Sequence, residues 1–352
     1  MKPVALSLAI VLVISFSCQE TEPDIIDDNL PSPGSILSSR ELGRALFYDV
    51  NLSADRSVSC ASCHKQEYGF ADNLALSKGV AGNLTTRNSM PIQNLQISFP
   101  EDTSVSAPLF WDGREQELLQ MVLQPFVNNH EHGFNSLKEL EDRVNSLSYY
   151  KKPFQNFFST SSARSEFIAS SLVEFITSIQ TNKTRFDIFQ QTNEGLDEKE
   201  LRGMSLFFET YNCNSCHQVQ DPSGYLEGGG GGGSQGFSNI GLEMNPQDVG
   251  LEKTTGQRSD QGKFKIPSLR NVVYTAPYMH NGGVQTLDSV IEHYSTGLLA
   301  TENLDPILKD ENGEPLVLNI TKAEKEAIIA FLGTLTDKSI LEDEKFSDPF
   351  NR

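Results

Sequence analysis

Two short stretches of the sequence carry the same arrangement of cysteine and histidine. Residues 58–66 read VSCASCHKQ and residues 211–219 read YNCNSCHQV, so each holds two cysteines three positions apart with a histidine directly after the second. Such pairs could form disulfides or redox-active dithiols, and two pairs together could hold zinc. The histidine that follows each pair favours covalent attachment of c-type haem instead. The predicted attachment and ligand residues are Cys60, Cys63, His64, Cys213, Cys216 and His217.

The sixth coordination position of the first iron decides whether that haem can do chemistry. The imidazole of His64 would be the proximal ligand. The chain has six histidines, and none lies between His64 and His130, so a histidine from the loop after the first motif cannot be the second ligand. Met90 and Met121 are the sulfur candidates, although methionine is more often a core residue. We predict that this iron is open or holds water and can bind peroxide.

The second iron has several candidate sixth ligands. They are Met279, His280, His293 and Tyr294. Thr286 is typical of a helix N-cap, and the apolar positions after it recur at helical spacing, which predicts that Tyr294 faces inwards and His293 outwards. A tyrosine that only fills the core is the alternative, and Met279 also remains open as the ligand.

The segments that precede the two motifs resemble each other. ELGRALFYD at residues 41–49 comes before the first motif, and RGMSLFFET at residues 202–210 comes before the second. Gly43 aligns with Gly203, and the aromatic and aliphatic positions that follow also align. The apolar spacing predicts a short helix in each place.

A second pair of segments closes each repeat. LVEFITSIQT at residues 172–181 resembles IIAFLGTLTD at residues 328–337. Both are predicted helices, and Thr321 with Glu324 forms a capping box at the start of the second. The order of helix, haem motif, loops and closing helix thus occurs twice, which indicates a duplicated domain.

The predicted fold is mostly α, with two cytochrome c-like domains related by duplication, long loops and little strand. Residues 36–192 would form the N-terminal domain around the first haem motif, and residues 193–340 the C-terminal domain around the second. The glycine-rich segment at residues 227–236 lacks the lysine of a phosphate-binding loop and is predicted to be a surface loop.

The first 18 residues are typical of an export signal. They contain one lysine, an apolar run too short to span a bilayer comfortably, and small residues before Cys18. Cys18 is the one cysteine outside the two motifs, and a lipid anchor on it would leave no free thiol. A cleaved secretory signal is the alternative. Both place the protein in the periplasm or elsewhere outside the cytoplasm, with the membrane as a partner only through that anchor.

The charge balance excludes one class of partner. The chain has 47 acidic and 28 basic residues, a net charge of −19, and no long block of one sign. Nucleic acid binding requires a basic surface, so nucleic acid is not an expected partner.

The chain resembles the bacterial di-haem cytochrome c peroxidase and MauG family. The resemblance rests on both haem motifs and on LFWDGREQ at 109–116, PFVNNHEHG at 125–133, FSNIGL at 237–242 and FKIPSLRNVVYTAPYMHNGG at 264–283. It implies two covalently bound haem c groups and reduction of hydrogen peroxide to water. The haem of the N-terminal domain would then be the peroxidatic haem, and the haem of the C-terminal domain the electron-transfer haem. The electrons would come from an external small redox protein, a cytochrome c or a cupredoxin. It also implies a homodimer.

The resemblance further implies roles for single residues. Trp111 matches the tryptophan between the two haems, and Glu131 matches the acid that moves a proton during peroxide cleavage. Met121 stands where the family commonly has glutamine, which removes a polar group from the distal side. Tyr294 falls where typical peroxidases have a methionine ligand and MauG-type members have tyrosine, which favours Tyr294 as an iron ligand.

A calcium ion is the third implied cofactor. Asn88, Thr275 and Pro277 match the residues that hold calcium between the haem domains of the family, through an amide side chain and backbone carbonyls. Such oxygen donors suit a hard cation.

Two other functions remain open at the level of sequence. A MauG-like oxidase would use a high-valent haem pair to oxidise a protein or small molecule, and Tyr294 together with the missing distal histidine favours it. A non-catalytic electron carrier would need both irons to be six-coordinate, and the absence of a histidine ligand after His64 argues against it.

Overall fold

The structure, a computed structural model, describes residues 36–95, 108–217 and 236–350. The predicted export signal with Cys18 and nearly all of the glycine-rich segment at 227–236 lie outside these residues. Within them the fold is mostly helical, as predicted. The helices are α1 Ser39–Tyr48, α2 Cys60–Cys63, α3 Leu118–Met121, α4 Leu137–Ser146, α5 Ser148–Phe158, α6 Ser165–Thr177, α7 Arg185–Thr192, α8 Glu198–Ser205, α9 Glu252–Thr255, α10 Leu287–Thr296, α11 Lys322–Gly333 and α12 Ser339–Glu342.

Short turns and one small sheet connect these helices. A π-helical turn, Leu206–Thr210, continues α8 towards the second haem motif. Strand β1 (Phe237–Ser238) pairs antiparallel with β2 (Phe264–Lys265). The 3₁₀ turns are Val50–Leu52, Gln66–Tyr68, Val80–Gly82, Pro125–Val127, Cys213–Ser215, Arg258–Asp260, Val272–Tyr274, Pro306–Leu308 and Glu344–Phe346.

Helix α1 packs closely on the closing helix α6. Ser38 caps α1 by accepting a hydrogen bond from the Glu41 amide, which satisfies one of the free donors of the first turn. Gly43 lies at the crossing, where a Cβ atom would come within 1.8 Å of the Ser171 carbonyl oxygen. Phe47 packs on Phe175 with ring centroids 5.2 Å apart.

The second half repeats this crossing. Helix α8 packs on α11, and a Cβ at Gly203 would come within 1.9 Å of the Ala327 carbonyl oxygen. Phe207 packs on Phe331 with ring centroids 5.3 Å apart. The capping box of Thr321 and Glu324 is present at the start of α11, as predicted. The aligned glycines therefore perform the same task, since each lets two helices approach at backbone distance.

Two apolar cores follow from these helix pairs. The first core is built mainly from residues between Ile36 and Ile179, and the second from residues between Phe186 and Leu335. The last part of the chain returns to the first core through Ile340 and Phe346. Phe186 therefore packs in the second core although it lies before the predicted limit at 192, and Ile340, the last residue of the predicted second domain, packs in the first core.

None of the helices in the described ranges combines the length and the apolar character needed to cross a lipid bilayer. Every described helix has 13 residues or fewer, as α6 is the longest.

We expect Gly43→Ala and Gly203→Ala each to lower the free energy of unfolding by about 1–3 kcal/mol, because the added methyl group overpacks a helix crossing. Chemical denaturation of the holoprotein measures this. Gly333→Ala is the matched control, since a Cβ at this helical glycine meets no atom within 4 Å. A loss at Gly333 as large as at the two crossings would contradict the interpretation.

Candidate haem sites

The first haem motif forms a short helix that ends at its histidine. Cys60 and Cys63 are the first and last residues of α2, which a capping box of Ser59 and Ser62 begins. The Nδ1–H of His64 donates to the carbonyl oxygen of Phe70 at 3.0 Å. This bond leaves Nε2 as the nitrogen that can bind a metal. Burial lowers the pKa of His64, which keeps the imidazole in the neutral form that a ligand needs.

The segment at 125–133 brings a carboxyl group to this motif. The Asn128 amide donates to Oε1 of Glu131 at 2.6 Å. Burial raises the pKa of Glu131, although the Arg114 guanidinium and the Asn128 hydrogen bond oppose the shift. Burial also raises the pKa of Cys60 to about 12 and of Cys63 to about 11, and the nearby Glu131 carboxylate adds to both shifts. Glu131 therefore lies beside the first haem motif.

His132 also lies in this site and was missed by the sequence analysis. Its Nδ1–H donates to the carbonyl oxygen of Leu52 at 2.6 Å, and its Nε2 lies 3.9 Å from Sγ of Cys60. Burial lowers the pKa of His132 to about 4, so the ring is neutral. His132 directly follows Glu131 in the segment HEHG, and this adjacency could have indicated that His132 lies in the same site.

The two methionines considered for the first iron occupy other positions. Met121 is partly buried and packs against the first apolar core. The backbone of Met90 lies beside the His64 ring. The positions of Met90 and Met121 therefore do not support either one as a sulfur ligand of the first iron.

The second haem motif lines a large cavity. The cavity has a volume of about 490 Å³ and a mostly apolar wall that includes Cys213, Cys216 and His217. This volume is in the range of small-molecule and cofactor pockets. The Nδ1–H of His217 donates to the carbonyl oxygen of Pro267 at 3.1 Å, and burial lowers the pKa of His217 to about 4. The ring is therefore held as the His64 ring is, with Nε2 available.

Three of the four ligand candidates for the second iron line this cavity. They are Met279, His280 and Tyr294. His293 was predicted to face outwards, but it is partly buried, and its Nε2–H donates to the carbonyl oxygen of Ile240 at 2.9 Å. This hydrogen bond takes up Nε2, and His293 is not among the residues that line the cavity.

The hydroxyl groups of two cavity tyrosines differ in their partners. The hydroxyl of Tyr278 donates to the carbonyl oxygen of Val272 at 3.0 Å. The hydroxyl of Tyr294 makes no hydrogen bond with any residue in the described ranges, although it lines the same cavity. A buried hydroxyl without a partner is costly, so a cofactor atom that bonds to it would remove that cost.

The donor set fits haem c. Cys60, Cys63, Cys213 and Cys216 are all free thiols, as thioether formation requires. Among the residues that the structure describes, no group of three or more His, Cys, Asp or Glu side chains could hold a metal ion. The disulfide and zinc alternatives therefore find no support in the geometry, whereas a neutral imidazole follows each cysteine pair.

Trp111 is bonded to segments that lead to both motifs. It is buried, and its indole Nε1–H donates to the Asn88 carbonyl oxygen at 2.9 Å. Its own carbonyl accepts the Lys265 amide at 2.9 Å, and its side chain lines the second cavity. The indole is therefore fixed between the loop after the first motif and the wall of the second site.

Ionic and ring contacts join the loops around Trp111. Arg87 pairs with Asp112 at 2.8 Å and with Asp248 at 2.5 Å. Although burial alone would raise the pKa of Asp248, the Arg87 hydrogen bonds hold that pKa below its usual range. Phe264 lies under Arg87 and stacks on His280 with centroids 3.6 Å apart. Local sequence patterns do not indicate this network, because its members are far apart along the chain.

The three residues predicted to hold calcium line the same cavity. The Asn88 side-chain NH₂ donates to the carbonyl oxygens of Leu74 and Ala75, at 3.1 and 3.2 Å. Asn88 Oδ1 and the carbonyl oxygens of Thr275 and Pro277 accept no hydrogen bond from the described residues. These three oxygen atoms therefore keep acceptor capacity that a cation could use.

Comparison with known proteins finds relatives over most of the chain. A family model described as di-haem cytochrome c peroxidase matches residues 38–195. The chain is 30% identical to cytochrome-c peroxidase IdrP2 of Pseudomonas sp. (strain SCT), over 86% of this chain and 83% of that protein. It is 26% identical to the methylamine utilization protein MauG of Methylophilus methylotrophus, over 88% of this chain and 86% of that protein.

A solved structure shows the same fold. The crystal structure of a MauG-like protein associated with microbial copper homeostasis matches with a TM-score of 0.75 and 30% sequence identity. The match covers 88% of this chain and 93% of that chain. The predicted fold class is therefore confirmed.

Proposed function

This chain belongs to the di-haem cytochrome c peroxidase family, and from that premise we propose that it reduces hydrogen peroxide to water at its first haem site. Its relatives named cytochrome c peroxidases are oxidoreductases, so the chain is an enzyme of that class. The observation that carries the proposal is the position of Glu131 beside the first haem motif, with a raised pKa and a fixed side chain. Two electrons and two protons are consumed for each peroxide, and two waters form.

Each haem supplies, when bound, an iron that exchanges single electrons and, where an axial position is open, binds peroxide. Glu131 provides the proton that the departing oxygen needs. Its raised pKa brings the carboxyl group closer to neutral pH, where it can both hold and release a proton. The Asn128 amide holds the acceptor oxygen of Glu131 in one orientation.

Trp111 would carry electrons from the second site to the first. Its position supports this role, because the indole is buried, hydrogen-bonded to Asn88 and part of the second cavity wall. An external small redox protein, a cytochrome c or a cupredoxin, is the proposed donor.

Steady-state turnover of hydrogen peroxide by the purified holoprotein, with a reduced small cytochrome c as donor, tests the function. We expect Glu131→Gln to lower the turnover number by roughly 10²–10⁴-fold, because the amide cannot transfer a proton. The variant keeps the size of the side chain and its contact with Asn128.

Glu174→Gln is the control, since this substitution removes the same charge at an exposed position on α6. Turnover of Glu131→Gln equal to that of Glu174→Gln would exclude Glu131 as the proton donor. A wild-type protein that consumes no peroxide with any reduced donor would contradict the function itself.

We also propose that Tyr294 is the sixth ligand of the second iron. Its hydroxyl has no hydrogen-bond partner among the described residues, and α10 directs it into the cavity beside Cys213 and Cys216. Burial raises the pKa of Tyr294, and coordination to iron would offset that shift, because a metal favours the phenolate. Met279 is the alternative ligand and lines the same cavity.

We expect Tyr294→Phe to change the electron paramagnetic resonance spectrum of the second centre, because one axial ligand is lost. Tyr278→Phe removes a hydroxyl from the same cavity but one that bonds to Val272, so its spectrum should match the wild type. A spectrum of Tyr294→Phe identical to the wild type would leave Met279 as the ligand.

We propose that Asn88, Thr275 and Pro277 hold one calcium ion. The free acceptor oxygens of these residues support the site, since Ca²⁺ takes carbonyl and amide oxygens as ligands. Elemental analysis of the holoprotein should find about one calcium per chain, and Asn88→Ala should lower that content. Asn83→Ala is the control, because Asn83 is exposed and its amide bonds to Asn129. Equal calcium content in both variants would contradict the site.

A MauG-like oxidase is the second candidate function. The tyrosine in the second cavity and the structural match to a MauG-like protein favour it. In that case the two sites would together oxidise a protein or small molecule, and peroxide would be consumed without oxidation of an added cytochrome c. The donor assay above therefore separates the two functions.

The remaining assignments rest on the sequence. A location in the periplasm follows from the predicted export signal, and Cys18 would be the point of lipid attachment in the lipoprotein form. The homodimer implied by the family resemblance stays a prediction.

A further inference from the structure

The second cavity contains a single cationic side chain of the Lys or Arg type. Among the described residues that line it, Lys265 is the one lysine and no arginine is present. Most of the remaining wall is apolar. Glu243 is the one carboxylate of that wall, and it accepts a hydrogen bond from the Asn281 amide at 2.8 Å. A lone ammonium group in such surroundings loses water without gaining a counter-charge.

The Lys265 ammonium has no partner in the described ranges. No ion pair and no side-chain hydrogen bond joins it to Glu243 or to any other described residue. Its neighbour Lys263 behaves differently, because Lys263 pairs with Asp260 at 3.0 Å. Burial lowers the pKa of Lys265 to about 8, which is the expected effect on an ammonium group that lacks an anion. Lys265 is half-buried at the cavity wall, so a group that fills the cavity would bury its charge, and an anionic part of that group would offset the cost.

The backbone of Lys265 is fixed by contacts to the rest of the site. Lys265 lies in β2, opposite Phe237, and its amide donates to the Trp111 carbonyl at 2.9 Å. Two residues later, the Pro267 carbonyl accepts the hydrogen bond from His217. One extended segment therefore carries the ammonium group, the anchor of Trp111 and the anchor of the proximal imidazole.

We propose that Lys265 binds a propionate of the haem attached at Cys213 and Cys216. Haem c is the group whose attachment site lines this cavity, and its two propionates are the anions that it brings. The pairing would satisfy the ammonium group and fix the rotation of the porphyrin edge against β2. The inference rests on attachment of the second haem, but not on which reaction the enzyme performs.

The pairing has a consequence for electron storage. A positive charge beside the porphyrin stabilises the reduced iron, which carries one electron more than the oxidised iron. Lys265 therefore raises the reduction potential of the second centre. Because the same residue bonds to Trp111, the charge lies at the start of the proposed electron path.

Redox titration of the holoprotein tests the proposal, with each centre followed by electron paramagnetic resonance of poised samples. We expect Lys265→Gln to lower the midpoint potential of the second centre and to leave that of the first unchanged. Lys265→Arg keeps the charge and should stay nearer to the wild-type potential. Lys263→Gln removes the same charge two residues away, where Asp260 is the partner, and should leave both potentials unchanged.

An unchanged potential of the second centre in Lys265→Gln, with two haems per chain, would overturn the proposal. If Lys265→Gln loses the second haem, resonance Raman spectra of the wild type and of Lys265→Arg are compared instead. The propionate bending band should then shift, because the hydrogen-bond donor changes, and an unchanged band would also overturn the proposal. A wild-type mass that lacks the second haem would contradict the haem site itself, which is a separate result.

Discussion

One hydrogen bond at each haem motif determines what the site can hold. The Nδ1–H of His64 donates to the Phe70 carbonyl, and the Nδ1–H of His217 donates to the Pro267 carbonyl. Each bond selects one tautomer and leaves Nε2 as the nitrogen that can bind a metal. Burial lowers the pKa of both rings, so they remain neutral and can bind iron. The close helix crossings at Gly43 and Gly203 position the cores that support these loops.

The two sites share this proximal arrangement but differ in the groups that surround it. Glu131 and His132 bring a carboxyl group and a neutral imidazole to the first motif. The second motif opens into a mostly apolar cavity in which Tyr294 and Lys265 lack partners among the described residues. A site with a proton donor suits bond cleavage, whereas a mostly apolar site suits storage of an electron. The repeated framework thus surrounds its two motifs with different chemical groups, as the proposed division of tasks requires.

Local patterns predicted the framework well. The repeated motif, the aligned glycines and the capping box at Thr321 all depend on neighbours within a few residues, and the fold agrees with them. The helix at 202–210 was predicted less well, because α8 ends at Ser205 and a π-helical turn follows. His293 was placed outwards by helical spacing, but a carbonyl from another loop bonds to its ring.

Features that depend on long loops could not be predicted. Arg87, Asp112 and Asp248 meet only because the loops between the helices converge, and no periodicity reports such contacts. The same holds for Lys265, whose exposure to the cavity depends on the pairing of β2 with β1 and on the amide bond to Trp111. The family resemblance singled out Trp111 and Glu131, and the residues beside them emerge only from the fold.

We propose that the chain would hold two haems of unequal accessibility, with an axial position left free at the first site and both axial ligands supplied by the chain at the second. Cyanide titration of the oxidised holoprotein, followed by its absorption spectrum, tests this most directly. We expect half of the haem to bind cyanide, in one step, and the other half not to bind it. Binding to neither haem, or to both with equal affinity, would contradict the unequal accessibility of the two sites.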